Sequence, residues 1–135
     1  MNIHFLRIGS FLFSFGILLG AIGTHILKNT ISITEMSSFE TGVKYLIYNS
    51  LGMMIIGLLK FDEKQIQIIT IRKIFNAIFI GTLLFSFSIF FLSITSITKF
   101  PKIIFVPMTP IGGFILIVSW FYFCFKCKTL LKFND

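Results

Sequence analysis

A few polar side chains in this very apolar sequence have the types and spacing to take part in chemistry. His25 could carry a proton or hold a ligand near neutral pH, and Glu40 lies four residues before Lys44, the order that favours a pair on one helix face. The same residues could instead have structural roles. The histidine could bond a carbonyl group or water, and the pair could stabilise a helix. One histidine and one carboxylate are too few ligands for zinc, so the sequence predicts no metal site, and we expect no cofactor.

Cys124 and Cys127 form a Cys-x-x-Cys pair, the spacing of thioredoxin-like redox sites and of half a zinc site. They end a long apolar segment that is predicted to reach the cytoplasm, where thiols stay reduced, and no second ligand pair occurs elsewhere. We therefore expect two free cysteines of the buried type. No serine and histidine occur at a spacing that would pair a nucleophile with a base, and we expect no enzyme activity.

The composition is that of a membrane protein. Of 135 residues, 56% are hydrophobic and 13% are charged, whereas soluble domains run at roughly 45–50% apolar and about 25% charged. The net charge of +7 comes from single basic residues and small groups between apolar runs, which is typical of membrane flanks. We expect membrane lipids as partners and no binding to nucleic acid.

Four apolar segments reach or approach the roughly 20 residues that a membrane-spanning helix needs. They cover residues 5–27, 32–59, 74–97 and 103–125, and the first is expected to be a retained helix rather than a cleaved signal peptide. The predicted fold class is an all-α membrane protein, a bundle of four transmembrane helices in one domain over residues 1–135.

The distribution of basic residues predicts the orientation. Four spans place both termini and the middle loop on one side, and eight Lys and Arg residues flank that side against four on the other. The first set is Arg7, Lys60, Lys64, Arg72, Lys73, Lys126, Lys128 and Lys132, and the second is Lys28, Lys44, Lys99 and Lys102. Because Lys and Arg are enriched on the cytoplasmic side, both termini are predicted to be cytoplasmic.

Two local motifs predict where the second helix begins. Ser32 with Glu35 and Ser37 with Glu40 each match the Ser/Thr-x-x-Glu capping box. A helix is therefore expected to start outside the membrane and to run into it without a break.

Two prolines predict an irregular start to the fourth segment. Pro107 and Pro110 each lack a backbone N–H and disfavour helical geometry in the preceding residue. Thr109 could cap a helix that restarts at Pro110. Irregular backbone at this depth must be covered by protein or water.

Small residues predict close contacts between helices, because helices in lipid associate where small side chains let their backbones approach. The main candidates are Gly16, Gly20, Gly23, Gly112 and Gly113. They could pack the helices of one bundle or join copies of the chain, and the sequence leaves both open.

Most of the other polar side chains fall in the outer half of the membrane on this topology. They are His25, Glu40, Lys44, Tyr45, Tyr48, Asn49, Ser93 and Thr109. Ionisable residues at such positions are candidates for function, so we predict a polar binding cluster there. For the tyrosines the alternative is anchoring in an aromatic belt at the interface.

Four short motifs, in this order, resemble one known family. They are Gly20-Ala21-Ile22-Gly23-Thr24-His25, Phe39-Glu40-Thr41-Gly42-Val43-Lys44-Tyr45, Leu84-Phe85-Ser86 and Thr109-Pro110-Ile111-Gly112-Gly113. Over nearly its whole length the chain resembles the YgdD/YwdK family of small bacterial inner-membrane proteins of unknown function, which is similar to the mitochondrial transmembrane protein 256. The resemblance implies a four-helix, multi-pass protein of the bacterial inner membrane, and it implies no activity.

Two positions depart from the family's pattern. Asn49 stands where the family usually has histidine, so a site that needs two histidines, such as bis-histidine haem ligation, is not expected. Phe87 replaces a usual glycine in the third segment, which predicts altered packing there.

Two functions are compatible with these features. The first is a non-enzymatic component that packs through its small residues against itself, as a homo-oligomer, or against a larger membrane complex. The alternative is a protein that binds or transports a lipid, a quinone or a small solute through the outer polar cluster.

Overall fold

A side chain caps the first helix. In the computed structural model, which describes residues 1–62, 64–99 and 101–131, Asn2 Oδ1 accepts hydrogen bonds from the backbone N–H of His4 at 3.1 Å and of Phe5 at 3.4 Å. Helix α1 spans Ile3–His25, and a 3-10 turn over Leu27–Asn29 follows it. Lys132, one of the predicted flanking residues, lies outside the described residues.

Helix α2, Ile33–Leu58, begins at the first predicted capping box. The Glu35 N–H donates to Ser32 Oγ at 3.2 Å, and Glu35 Oε2 accepts from the Ser32 N–H at 2.9 Å. These bonds satisfy donors that the first helical turn would leave open. The predicted continuous helix is confirmed, whereas the Ser37 motif lies inside the helix and caps nothing.

Helix α3, Gln65–Ser93, differs from the predicted segment 74–97 at both ends. It begins early because residues 65–73 contain no glycine or proline that would disfavour a helix, so the exposed Arg72 and Lys73 belong to it. Beyond Ser93 the chain forms a one-turn helix α4, Thr95–Thr98, which ends at Lys99 in the left-handed conformation, with a φ of 55°.

The fourth predicted segment is broken near its start. Helix α5, Lys102–Phe105, is one turn long, and helix α6, Met108–Leu130, begins directly after Pro107. The predicted irregularity is confirmed, but the predicted cap is wrong. Pro110 is the third residue of α6, where its missing N–H costs nothing because the first helical donors have no partner inside the helix. The Thr109 hydroxyl instead lies 2.7 Å from Ser88 Oγ of α3.

The four long helices pack as neighbours in the order α1, α2, α3, α6, each antiparallel to the next. Along α1, for example, Gly9 lies beside Met54 and Gly23 lies beside Phe39, so the two sequences run in opposite directions. The core is concentrated between α2 and α3. Its fully buried apolar members include Leu46, Met53, Ile56, Phe75 and Ile78.

Two ends of the bundle can be distinguished by their connections. At the terminal end, the Asn2 N–H donates to the Gly57 carbonyl oxygen at 2.8 Å, and the Asp62 N–H donates to the Leu130 carbonyl oxygen at 2.9 Å. This end therefore gathers the start of α1, the α2–α3 connection and the last turn of α6. The loop end holds the α1–α2 connection and the α3–α6 connection.

Close approach of backbones requires glycine at two of the helix contacts. A Cβ atom at Gly112 would lie 2.5 Å from the Phe85 backbone nitrogen, and one at Gly57 would lie 2.6 Å from that of Leu6. Among the other predicted positions, Gly16 and Gly23 face α2 with no room for a Cβ atom, whereas Gly20 and Gly113 have ordinary space. These small residues thus pack against helices of the same chain.

Three stretches within the described residues are long and apolar enough to cross a membrane. They are Ile3–Asn29, Gln65–Ser93 and Lys102–Leu130. Helix α2 is long enough but does not reach the same apolar composition, since it carries Glu35, Glu40 and Lys44 in its first half and Asn49 further on.

Candidate functional site

An open groove, called the α2–α6 groove below, separates α2 from α6 over the central part of the bundle. Its volume is about 590 Å³, which lies within the usual range for small-molecule sites. The lining residues are Tyr45, Tyr48 and Asn49 from α2, and Leu116, Ile117, Trp120, Phe121 and Cys124 from α6. None of these side chains is acidic or basic, so the groove suits a neutral molecule.

A hydrogen bond between Asn49 and Trp120 joins the two walls of the groove. Asn49 Oδ1 accepts from Trp120 Nε1 at 2.9 Å, and Asn49 Nδ2 donates to the Tyr45 carbonyl oxygen at 2.8 Å. Both residues lie nearer the middle of their helices than either end. In a membrane an unpaired polar group is costly, and this bond satisfies the indole N–H of Trp120 and the amide oxygen of Asn49. Asn49 is 6% exposed and keeps a second amide N–H for which the described residues supply no acceptor.

Tyr45 and Tyr48 form one edge of the groove. Their rings are 6.4 Å apart between centroids, and the Tyr45 ring also contacts Phe85 of α3 at 4.9 Å. They are 45% and 63% exposed, and neither hydroxyl has a hydrogen-bond partner among the described residues. Two phenol groups therefore remain able to bond an occupant of the groove.

The other predicted polar residues lie elsewhere, so the structure does not bring the cluster together. Glu40 and Lys44 line a small groove of about 150 Å³ beside Gly20 and Gly23 on the α1 side of α2. They form no ion pair within 4.0 Å: the pair found among the described residues is Lys64 with Asp62, at 3.4 Å. At helical spacing both long side chains point into solvent and remain exposed, which weakens the attraction that would hold them together.

His25, Ser93 and Thr109 are also separate from the α2–α6 groove. His25 is exposed at the last residue of α1. Ser93 is buried and donates to the Ile89 carbonyl oxygen at 2.8 Å, and Thr109 shares its hydrogen bond with Ser88. The predicted cluster therefore reduces to Tyr45, Tyr48 and Asn49, with Asn49 deeper than the opening turns of α2.

Sequence reasoning missed Trp120. It is the single tryptophan of the chain and lies in the middle of an apolar helix, where an indole N–H needs a partner. That requirement, together with the amide of Asn49 in another apolar segment, was an available signal. Their separation of 71 positions along the chain hid the pairing, because only the packing of the helices brings them together.

The two cysteines are free thiols, but the predicted burial is wrong, since Cys124 is exposed and Cys127 is half-buried. Cys124 is exposed and lines the α2–α6 groove, and Cys127 Sγ donates to the Cys124 carbonyl oxygen at 3.1 Å. In the described part of the chain no three His, Cys, Asp or Glu side chains come together in a group that could hold a metal ion.

Glu35 has a lowered pKa, and it lies at the loop end, outside the apolar part of α2. The hydrogen bond from the Ser32 backbone N–H is the main reason that its pKa is below the ordinary value of 4.5. Hydrogen bonds from the Ser96 and Ser32 side chains and the charge of Lys102 act in the same direction, against a smaller effect of desolvation. Glu35 therefore lies near residues of the α3–α6 connection as well as those of the α1–α2 connection.

This helical fold, with three stretches apolar enough to span a bilayer, defines the class of a multi-pass membrane protein. Residues 19–113 match the profile of a family described as a protein of unknown function, DUF423, and the chain belongs to that family.

Curated relatives agree with this assignment. The chain is 34% identical over 102 residues to the UPF0382 membrane protein YwdK of Bacillus subtilis, covering 76% of this chain and 77% of that one. It is 31% identical over 117 residues to the UPF0382 inner membrane protein YgdD of Escherichia coli K12, covering 86% and 80%. No solved structure matches the chain at a significant level. The predicted family and the predicted location in the bacterial cell (inner) membrane are confirmed.

Proposed function

We propose that all four long helices cross the membrane and that both termini are cytoplasmic. Helix α2 has 26 residues and is therefore about 39 Å long, enough for a hydrocarbon core of roughly 30 Å. Its polar residues are tolerable at that depth because α1 and α3 cover it on two sides and Trp120 bonds Asn49. The excess of Lys and Arg at the terminal end supports the orientation.

The function that the geometry supports best is non-enzymatic binding of a neutral amphiphile in the α2–α6 groove. The observation that carries this proposal is the Asn49–Trp120 hydrogen bond in the wall of an otherwise apolar groove. A hydrogen-bonding head group, such as that of a quinone or a neutral lipid, would meet the tyrosine hydroxyls and the Asn49 amide. Its apolar tail would lie against Leu116 and Ile117 of α6.

The fluorescence of Trp120 tests this proposal, because no other tryptophan contributes to the signal. The full chain in mild detergent is titrated with a short-chain naphthoquinone and, separately, with a brominated diacylglycerol. We expect saturable quenching by at least one of these neutral probes. Asn49→Leu and Tyr48→Phe should each weaken binding by about fivefold, the equivalent of one hydrogen bond.

Phe114→Leu provides the matched control, since Phe114 lies on α6, is 68% exposed and does not line the groove. Its binding curve should equal that of the unaltered chain. Quenching that rises linearly with probe concentration, to the same extent in all variants, would reflect partition into the detergent and would contradict the proposal.

A second candidate is an accessory role in a homo-oligomer or a larger membrane complex. The supporting observation is the broad apolar face that α6 leaves uncovered, formed by Ile111, Phe114, Ile117, Val118, Phe121, Tyr122 and Phe125. Because the glycine stripes pack within the chain, association would use this face. Native mass spectrometry in mild detergent should then show assemblies that Phe114→Ala with Phe125→Ala disrupts, and a strict monomer without protein partners would count against this role.

A further inference from the structure

A second open groove, the α1–α3 groove, is lined by α1 and α3 and not by α6. Its volume is about 860 Å³. The lining residues are His4, Arg7, Ile8, Phe11, Leu12 and Phe15 from α1, and Phe79, Leu83 and Phe87 from α3. All the basic side chains are therefore at one end of the groove, and the rest of the lining is apolar.

Aromatic pairs mark both ends of this groove. Phe5 stacks on Phe75 with ring centroids 3.9 Å apart near the terminal end, and Phe15 stacks on Phe87 at 5.9 Å toward the loop end. From Arg7 to Phe15 the helix rises about 12 Å, close to the roughly 15 Å depth of one leaflet's hydrocarbon. Phe87, the residue expected to alter packing, supplies part of the wall. The groove thus has the length and the lining to hold much of one acyl chain.

Arg7 has no anionic partner among the described residues, and it is exposed. The terminal end around it is strongly basic: the described part also holds Lys60, Lys64, Arg72, Lys73, Lys126 and Lys128, with Asp62 as its one described acidic residue. A negative charge is therefore favoured at the mouth of the groove, and a guanidinium group binds phosphate oxygens in a bidentate geometry.

We propose that the α1–α3 groove binds an anionic phospholipid, with the phosphate at Arg7 and one acyl chain along Phe11, Leu83 and Phe87. His4 lies one turn before Arg7 and supplies a second nitrogen donor at the mouth. The site is independent of the α2–α6 groove, and it requires a lipid rather than free phosphate because the apolar lining is most of the contact.

Native mass spectrometry of the full chain in mild detergent tests the head-group selectivity. Dioleoyl phosphatidylglycerol should bind more tightly than dioleoyl phosphatidylcholine. Arg7→Gln should lower the ratio of the two affinities by about fivefold, which is the contribution of one basic residue at a membrane surface. Lys28→Gln, which removes the same charge at the loop end, should leave the preference unchanged. Glycerol phosphate without acyl chains should not bind.

A fluorescence measurement locates the lipid and remains informative if Arg7→Gln is poorly folded. In a Trp120→Phe background, Phe79→Trp places the only indole inside the α1–α3 groove. Brominated phosphatidylglycerol should quench it more strongly than brominated phosphatidylcholine, whereas Trp120 in the unaltered chain should show no such preference. Equal quenching by the two lipids at position 79, or an equal loss of preference in Lys28→Gln, would overturn the proposal.

Discussion

Helices α2 and α6 differ in how they combine polarity with burial. Helix α2 carries acidic, basic and amide side chains, yet nine of its residues are buried, among them Leu46, Asn49 and Met53 at helical spacing. Helix α6 is almost entirely apolar, but only four of its described residues, Met108–Leu130, are buried. A membrane helix with neighbours on several sides can carry polar groups that those neighbours satisfy, whereas a helix with one covered stripe must offer lipid an apolar surface.

The same difference explains the two grooves. Glycines allow backbone contact between α1 and α2 and between α3 and α6, at Gly57 and at Gly112. Among the described residues no glycine brings the backbones of α2 and α6, or of α1 and α3, into contact, and these pairs leave open grooves. One groove is neutral and has a partly buried hydrogen bond between its two walls, and the other is apolar with a basic mouth.

The largest expected effect is a difference in the free energy of unfolding between two truncations, one in each helix. Met53 of α2 is fully buried and Phe114 of α6 is 68% exposed. Met53→Ala should lower the free energy of unfolding by about 2–5 kcal/mol, because it leaves a cavity among residues that cannot close around it. Phe114→Ala should change it by less than about 0.5 kcal/mol. Unfolding in mixed micelles of increasing denaturing detergent measures both, and equal losses would contradict the difference in burial.

A smaller effect is expected at the glycines. Gly57→Ala places a Cβ atom against the α1 backbone and should cost about 1–3 kcal/mol, since neither helix can shift without losing other contacts. Gly113→Ala is the matched change on α6, where the nearest atoms are ring carbons of Phe85 at 3.4 Å. There the better helix propensity of alanine should offset the crowding. Thermal denaturation in detergent distinguishes the two, and a Gly57→Ala variant as stable as Gly113→Ala would refute the close contact.

The smallest effect concerns Glu35, at the exposed start of α2. Its lowered pKa means that the carboxylate stabilises the fold above the pKa of the unfolded chain, near 4.5, and that this contribution is lost as the pH falls through the folded pKa. Glu35→Gln should therefore lower the Tm slightly at neutral pH, and the gap should close in acid. Glu40→Gln removes the same charge from a side chain that has no hydrogen bond among the described residues, so its Tm should match that of the unaltered chain. A Glu35→Gln gap that persists in acid would contradict this account.

Local signals in the sequence predicted local structure well. Ser32 and Glu35 located the start of α2 because a capping box needs only residues three apart, and Pro107 located the break before α6. The start of α3 at Gln65 was missed because the prediction followed hydropathy, while a helix can continue past the membrane wherever no glycine or proline opposes it.

The candidate site was predicted only in part, since it depends on packing. Tyr45, Tyr48 and Asn49 share one helix and line one groove, whereas Glu40 and Lys44, on the same helix, line a groove on the α1 side. Which face of α2 meets which neighbour depends on contacts between residues distant in sequence, such as Gly57 with Leu6 of α1 and Gly42 with Phe90 of α3. Trp120 became recognisable only when those contacts had placed it beside Asn49.

The central claim is that α2 crosses the membrane at the centre of the bundle although it is the least apolar long helix. Cysteine labelling with a membrane-impermeant maleimide tests it most directly. In a Cys124→Ser, Cys127→Ser background, Thr34→Cys and Lys60→Cys place single thiols on exposed positions at the two ends of α2. We predict that intact cells label position 34, and that position 60 reacts only after the membrane is opened. Labelling of both positions from the same side would contradict the four-span bundle.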